Sequence, residues 1–150
     1  MKPFDRILTA IDFSENSDYA FDYALTLAKQ FNSELTIMHV INEPVDLRGF
    51  YVPHISFEQL EKEIEDGATK MMEKFCQARL EDFSSYKTAI VTGIPYEEII
   101  RKAEETDTSL IVLGTHGRTG LDHLIFGSTA ERVVRSAACP VLTIRLPAAQ

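Results

Sequence analysis

Cysteine is scarce in this chain: Cys76 and Cys139 are the whole supply in 150 residues. Cys76 lies in a helical pattern and Cys139 directly precedes Pro140, so neither belongs to a Cys-x-x-Cys or zinc framework. Two buried, reduced thiols are the expectation. Long apolar runs are missing as well. Nothing approaches the roughly eighteen uninterrupted apolar residues of a membrane span, and the opening Met1-Lys2-Pro3-Phe4-Asp5-Arg6 is too charged for a secretory signal. Positive charge is in the minority, with 15 Lys and Arg against 23 Asp and Glu and a net charge of −8. That balance repels phosphate backbones and anionic lipid at long range, which disfavours a general nucleic-acid or membrane-surface binder. A small anionic ligand stays compatible with it, because a local nest of backbone N–H groups can outweigh distant carboxylates. Together these absences predict a soluble, cytoplasmic protein.

What is present is an ordinary globular composition, 45% hydrophobic and 25% charged. Its size predicts a single domain over 1–150 that needs neither disulfide nor metal to fold. Five short β-type runs alternate with helical patterns. Strands are expected over 6–11, 35–41, 86–91, 110–113 and 141–145. The first is apolar without alternation, as in a strand buried on both faces, and the fourth is the most apolar and is placed centrally. The third is more polar and belongs nearer an edge. Between the strands, Ala20, Tyr23, Ala24, Leu27, Ala28 and Phe31 share a helical face after Ser14 as N-cap. A second stripe runs from about Ser56 to Asp82. Ile99, Ile100 and Ala103 mark a third helix with Pro95 in its first turn, and Ala130, Val133, Val134 and Ala137 a fourth, stopped by Pro140. The alternation predicts an α/β fold with a doubly wound parallel sheet and helices on both faces. One connection, Glu43 to Ile55, is longer than the 2–6 residues or so usual in such units, which suits a lid, a partner surface or an insertion without function.

The stretch with chemical content joins the fourth strand to the fourth helix: Gly114-Thr115-His116-Gly117-Arg118-Thr119-Gly120, then Leu121 to Phe126, then Gly127-Ser128. Glycines let backbone approach a ligand with no Cβ in the way, and a helix N-terminus offers free N–H groups and partial positive charge to a phosphate. Ser128 can cap that helix and donate its hydroxyl. The same glycines also suit a tight turn and a close helix–sheet contact, so both readings stand at this level. Neither G-x-x-x-x-G-K-[ST] nor G-x-G-x-x-G is present, and there is no P-loop lysine. The first-strand loop, Asp12-Phe13-Ser14-Glu15-Asn16-Ser17, lacks the glycines of an AMP-forming pyrophosphatase. Asp12 suits either a ligand contact or, with Ser14, a cap on the next helix. His39 reads as a satisfied core histidine. His54, His116 and His123 form no metal spacing, and the acidic run from Glu58 to Glu65 is a solvated helix face.

The spacing Gly114-x-x-Gly117, nine residues, Gly127-Ser128 matches the G-x-x-G, nine residues, G-[ST] motif of the ATP-binding universal stress proteins, and the chain resembles that family along nearly its whole length. Ile-Leu-x-Ala-Ile-Asp-Phe-Ser at 7–14, Met-His-Val-Ile at 38–41, Gly-Ile-Pro-x-Glu-Glu-Ile at 93–99 and Cys-Pro-Val-Leu at 139–142 carry the rest of the likeness. The resemblance implies a five-stranded sheet with the first and fourth strands central and ATP across their C-terminal ends. It puts Asp12 near the adenosine end, Val40 as a backbone contact to adenine, and Ala10 in the base pocket. Gly114 would lie under the ribose and phosphates, with Gly117, Gly127 and Ser128 around the triphosphate. Thr129 and Ala130 continue the helix N-terminus; relatives often carry a hydroxyl where Ala130 stands, so one phosphate contact is absent here. Arg118 is placed by sequence to neutralise phosphate charge, though a solvated surface arginine fits equally well. Mg2+ or Mn2+ is expected to bridge the phosphates.

Three functions follow as expectations. One is an ATP-binding stress or signalling module whose nucleotide state changes what a partner sees. Another is a slow ATPase or self-phosphorylating enzyme using the same pocket. The third is a nucleotide-free dimeric scaffold, against which the intact glycine motif speaks. No residue presents itself as the base that efficient hydrolysis needs. The last strand, Val141 to Arg145, is apolar and carries little to blunt an open edge. It is therefore expected to pair with a second copy as a homodimer, which the resemblance also implies.

Overall fold

The computed structural model describes residues 3–42, 56–116 and 126–147. Within them the order is β1 (Arg6–Ala10), α1 (Glu15–Phe31), β2 (Glu34–Asn42), α2 (Phe57–Arg79), β3 (Tyr86–Gly93), α3 (Pro95–Glu105), β4 (Leu110–Gly114), α4 (Ser128–Ser136) and β5 (Val141–Ile144). The five strands form one parallel sheet in the order β3-β2-β1-β4-β5. The expected architecture is the observed one. The connection from Glu43 to Ile55 lies outside the described residues.

Period-2 alternation divides the apolar strand residues between two cores. Ile7, Leu35, Ile37, Leu110 and Val112 pack with Phe21 and Ala24 of α1 and with Met72, Phe75 and Cys76 of α2. Their neighbours Leu8, Met38, Ile111 and Leu113 pack on the opposite face with Ile99 of α3 and Val133 of α4. Each central strand therefore needs apolar residues at consecutive positions, which explains why its sequence does not alternate. Thr9 is fully buried between them, and its hydroxyl donates to the Val112 carbonyl at 2.9 Å. Burial pushes both thiols, Cys76 and Cys139, above the usual range, so neither is an activated nucleophile.

The helix signals act locally as expected at three starts. The Ser14 hydroxyl accepts from Ser17 N–H at 3.2 Å to cap α1, Ser56 caps α2 in the same way, and Pro95 opens α3. Several boundaries differ by one to three residues. β1 ends at Ala10 rather than 11, β2 runs Glu34–Asn42 rather than 35–41, β3 extends to Gly93 and β4 to Gly114. The second helix ends at Arg79 rather than near Asp82, and the last strand ends at Ile144 rather than Arg145. At α4 the cap is Gly127, not Ser128. Ser128 is the first helical residue, and among the described residues no side chain caps the helix's opening N–H groups.

Candidate functional site

In the strand order β3-β2-β1-β4-β5, successive crossovers run outward in opposite directions from β1 and β4. Their C-terminal ends leave a crevice there, the place where open α/β sheets hold ligands. A cavity of about 460 Å³ occupies it, within the range of small-molecule sites. Of the residues singled out by sequence, Ala10, Asp12, Val40, Gly114, Gly127, Ser128, Thr129 and Ala130 all line it. Gly117 and Arg118 lie outside the described residues. No lysine or arginine among the described residues lines the cavity; the amino end of α4 brings partial positive charge to it.

Gly127 brings no capping side chain to the start of α4. Gly127 has φ −72° and ψ 164°, an extended conformation open to any residue. The first intrahelical bond runs from Glu131 N–H to Gly127 O at 3.1 Å. The amides of Ser128, Thr129 and Ala130 come before it and have no intrahelical acceptor, at the rim of the cavity. A serine, threonine or aspartate at the cap would turn its own oxygen onto these donors. Glycine leaves them to a ligand.

Thr115, a variable position in the motif, ties the pieces together. Its N–H donates to the Ile144 carbonyl at 3.0 Å, its own carbonyl accepts from Gly127 N–H at 2.6 Å, and its hydroxyl is 3.0 Å from His116 Nδ1. The end of β4 is thus joined both to β5 and to the cap of α4. Sequence reasoning passed over Thr115, and also Asn42 and Ser17, which line the cavity too. The available signal was a polar residue at the end of an apolar strand, present at both Asn42 and Thr115.

Of the two readings of its glycine, Gly114 has an observed reason in the close helix–sheet contact. It lines the cavity, but a Cβ built on it would stand 3.1 Å from Asn16 O and 3.4 Å from Asn16 C, backbone atoms of the first turn of α1. The close helix–sheet contact, rather than ligand approach, fills that space. Gly114→Ala is expected to cost about 1–3 kcal/mol of stability through overpacking, read as a lower urea midpoint with an unchanged m-value.

At the β1 end, Asp12 does serve the next helix: its Oδ1 accepts from Ser14 N–H at 3.0 Å, while its own N–H donates to the Ser17 hydroxyl at 3.2 Å. The carboxylate is half-buried on the cavity wall, so the capping and cavity-lining positions coincide. The amino end of α1 is acidic. Burial raises the Asp18 carboxyl above its ordinary range against the lowering by Arg79, and Asp12, Asp22 and Glu15 raise it further. His39 is buried, with Nδ1 2.8 Å from the Ile11 carbonyl and its ring 4.8 Å from that of Phe13. No group of three or more His, Cys, Asp or Glu among the described residues could hold a metal ion.

The likeness of this arrangement to known proteins extends over nearly the whole chain. YxiE of Bacillus subtilis, a universal stress protein, is 35% identical over 147 residues, covering 95% of this chain and 99% of that protein. The solved structure of MJ0577 from Methanocaldococcus jannaschii superposes with a TM-score of 0.83 at 28% identity, over 97% of this chain and 99% of that one. A universal stress protein solved in complex with cAMP, 20% identical over 95% of this chain and 97% of that one, shares the fold at a TM-score of 0.65. The family model described as "Universal stress protein family" matches residues 3–145. With the two-sided core, the switch-point cavity and the glycine-capped helix all falling inside that match, the chain belongs to the universal stress protein family.

Proposed function

We propose that this chain binds ATP in the crevice between β1 and β4 and acts as a nucleotide-dependent stress or signalling module. The observation that carries the reading is the amino end of α4, to which Gly127 brings no capping side chain, at a cavity large enough for a small molecule. In this reading the amides of Ser128, Thr129 and Ala130 receive phosphate oxygens, with the Ser128 hydroxyl beside them. Ala10 and the backbone of Val40 border the base, and Asp12 faces the ribose. Gly117 and Arg118 belong to the segment that completes the phosphate side. Mg2+ or Mn2+ enters with the nucleotide, held by phosphate oxygens rather than by a protein ligand set.

Binding comes before chemistry in this reading. The Asp12 carboxylate is already engaged by Ser14 N–H on the β1 side, and fast phosphoryl transfer needs a base that orients the attacking water. Freshly purified protein, denatured and chromatographed, is expected to release an adenine nucleotide near one equivalent. Added ATP is expected to turn over far more slowly than the roughly 1–100 s⁻¹ of dedicated kinases. Release of no nucleotide, with no heat on titration with ATP, overturns the reading. Turnover at tens per second, lost on substitution in the cavity, makes the protein an enzyme instead.

The same reading includes a homodimer through β5. That strand pairs with β4 on one side only among the described residues, and Leu142 is 36% exposed on it. A second copy related by a two-fold axis would satisfy the open edge by antiparallel pairing.

A further inference from the structure

The β1–β2 ladder stops one bond short of what its register allows, and a side chain takes the place of the missing bond. The pairing runs from Arg6↔Glu34 to Ala10↔Met38. Glu34 N–H donates to Asp5 O and Ile11 N–H to Met38 O, at 2.9 and 2.8 Å. By the alternation of a parallel ladder, even-numbered residues of β2 bond to β1, and the next donor in line for the Ile11 carbonyl is the Val40 amide. The register ends before that bond. The Ile11 carbonyl instead lies 2.8 Å from Nδ1 of the buried His39 ring. A carbonyl oxygen only accepts, so Nδ1 carries the proton and donates. Phe13 fixes the ring from one side at 4.8 Å, tilted by 46°, and is itself held edge-on by Phe75 at 6.2 Å. Phe13 has φ 64°, a conformation a bulky residue adopts only when its surroundings impose it.

We propose that His39 is a positioning residue for the base end of the cavity: its Nδ1–H replaces the Val40 amide on the Ile11 carbonyl and so leaves that amide to a nucleobase. Ile11, Asp12 and Val40 all line the cavity, so one ring both holds the β1 end that carries Asp12 and keeps a β2 backbone donor out of the sheet. An apolar residue of the same size would let the ladder close by one more bond, from Val40 N–H to Ile11 O. The donor would then be spent inside the sheet. This inference rests on the nucleotide-binding reading above and adds a residue that never needs to touch the ligand.

The test compares ATP with inorganic tripolyphosphate, which probes the phosphate side alone, by calorimetric titration of wild type, His39→Asn and His39→Phe. Asparagine carries an amide N–H close to where histidine carries Nδ1–H, so His39→Asn is expected to keep the wild-type preference for ATP over tripolyphosphate. His39→Phe is expected to bind ATP about tenfold more weakly, with tripolyphosphate affinity unchanged. Equal ATP affinity in wild type and His39→Phe overturns the proposal, as does a parallel loss for both ligands, which marks a merely structural role. Should His39→Phe fail to fold, the ¹⁵N spectrum of wild-type histidine decides: a proton on Nδ1 of His39 supports the proposal and a proton only on Nε2 overturns it. Wild-type protein that binds neither ATP nor tripolyphosphate overturns the nucleotide reading itself, and this inference with it.

Discussion

Gly127→Val is expected to abolish ATP binding while leaving the fold in place. The backbone at this position, φ −72° and ψ 164°, is extended, so a valine meets no conformational penalty there. The Gly127 N–H bond to Thr115 O uses main-chain atoms and survives the substitution. What changes is the space beside the amides of Ser128, Thr129 and Ala130, at the rim of the cavity. A β-branched side chain on the cap stands between these donors and a phosphate. Charge-assisted hydrogen bonds contribute about 1.5–3 kcal/mol each, so losing two lowers affinity on the order of a hundredfold or more. Titration with ATP measures the loss, and an unchanged far-UV spectrum and melting midpoint attribute it to the site. Equal affinity in the two proteins removes the phosphate role of this loop. The contrast with Gly114→Ala is informative, because there the stability should fall, the Cβ meeting the Asn16 backbone.

Thr143→Pro is expected to convert a dimer to a folded monomer. Ile111 N–H donates to Pro140 O and Thr115 N–H to Ile144 O. The even-numbered residues of β5 therefore face β4, and Val141 and Thr143 turn their N–H and C=O groups to the open side. Proline at 143 removes an outward donor without breaking a bond to β4, the one kind of strand position that tolerates it. Across a two-fold axis the substitution acts twice, because each Thr143 offers both a donor and an acceptor to the partner strand. Sedimentation velocity at micromolar concentration should give a dimer for wild type and a monomer for the variant. Wild-type protein that sediments as a monomer, or a variant that stays dimeric, overturns the β5 contact.

Much of the scaffold was legible because its causes are local. Apolar residues at consecutive positions over 110–113 mean burial on both faces, and Leu110 to Leu113 are divided between the two cores as that pattern requires. The serine caps of α1 and α2 and the proline opening α3 follow from short-range hydrogen bonding and fixed φ, which a sequence displays directly. Eight of the ten residues named for the site fell around one cavity, because two neighbouring strand ends and a helix start carry them. The boundary that failed at Arg79 is local too, but the stripe continues through Leu80, which is buried without being helical.

The sequence by itself determined the alternation of strands and helices and the burial of the central strands on both faces, since each depends on neighbours within a turn or two. The helix stripes it marked are less exact, with Tyr23, Phe31, Met71 and Val134 exposed. Only the tertiary structure decided why particular residues are needed. Gly114 meets Asn16, the Thr9 hydroxyl meets Val112, the His39 ring meets the Ile11 carbonyl, and Thr115 joins Gly127 to Ile144. Most of these partners lie tens of residues away, brought together by the order β3-β2-β1-β4-β5. Strand composition already placed β4 centrally and β3 and β5 at the edges, but periodicity holds no record of which residues meet across them. Gly127 as cap in place of Ser128 is the one near neighbour that was misassigned, and there the choice was made by the bond to Thr115, twelve residues back, which holds Gly127 in the extended conformation from which the helix begins.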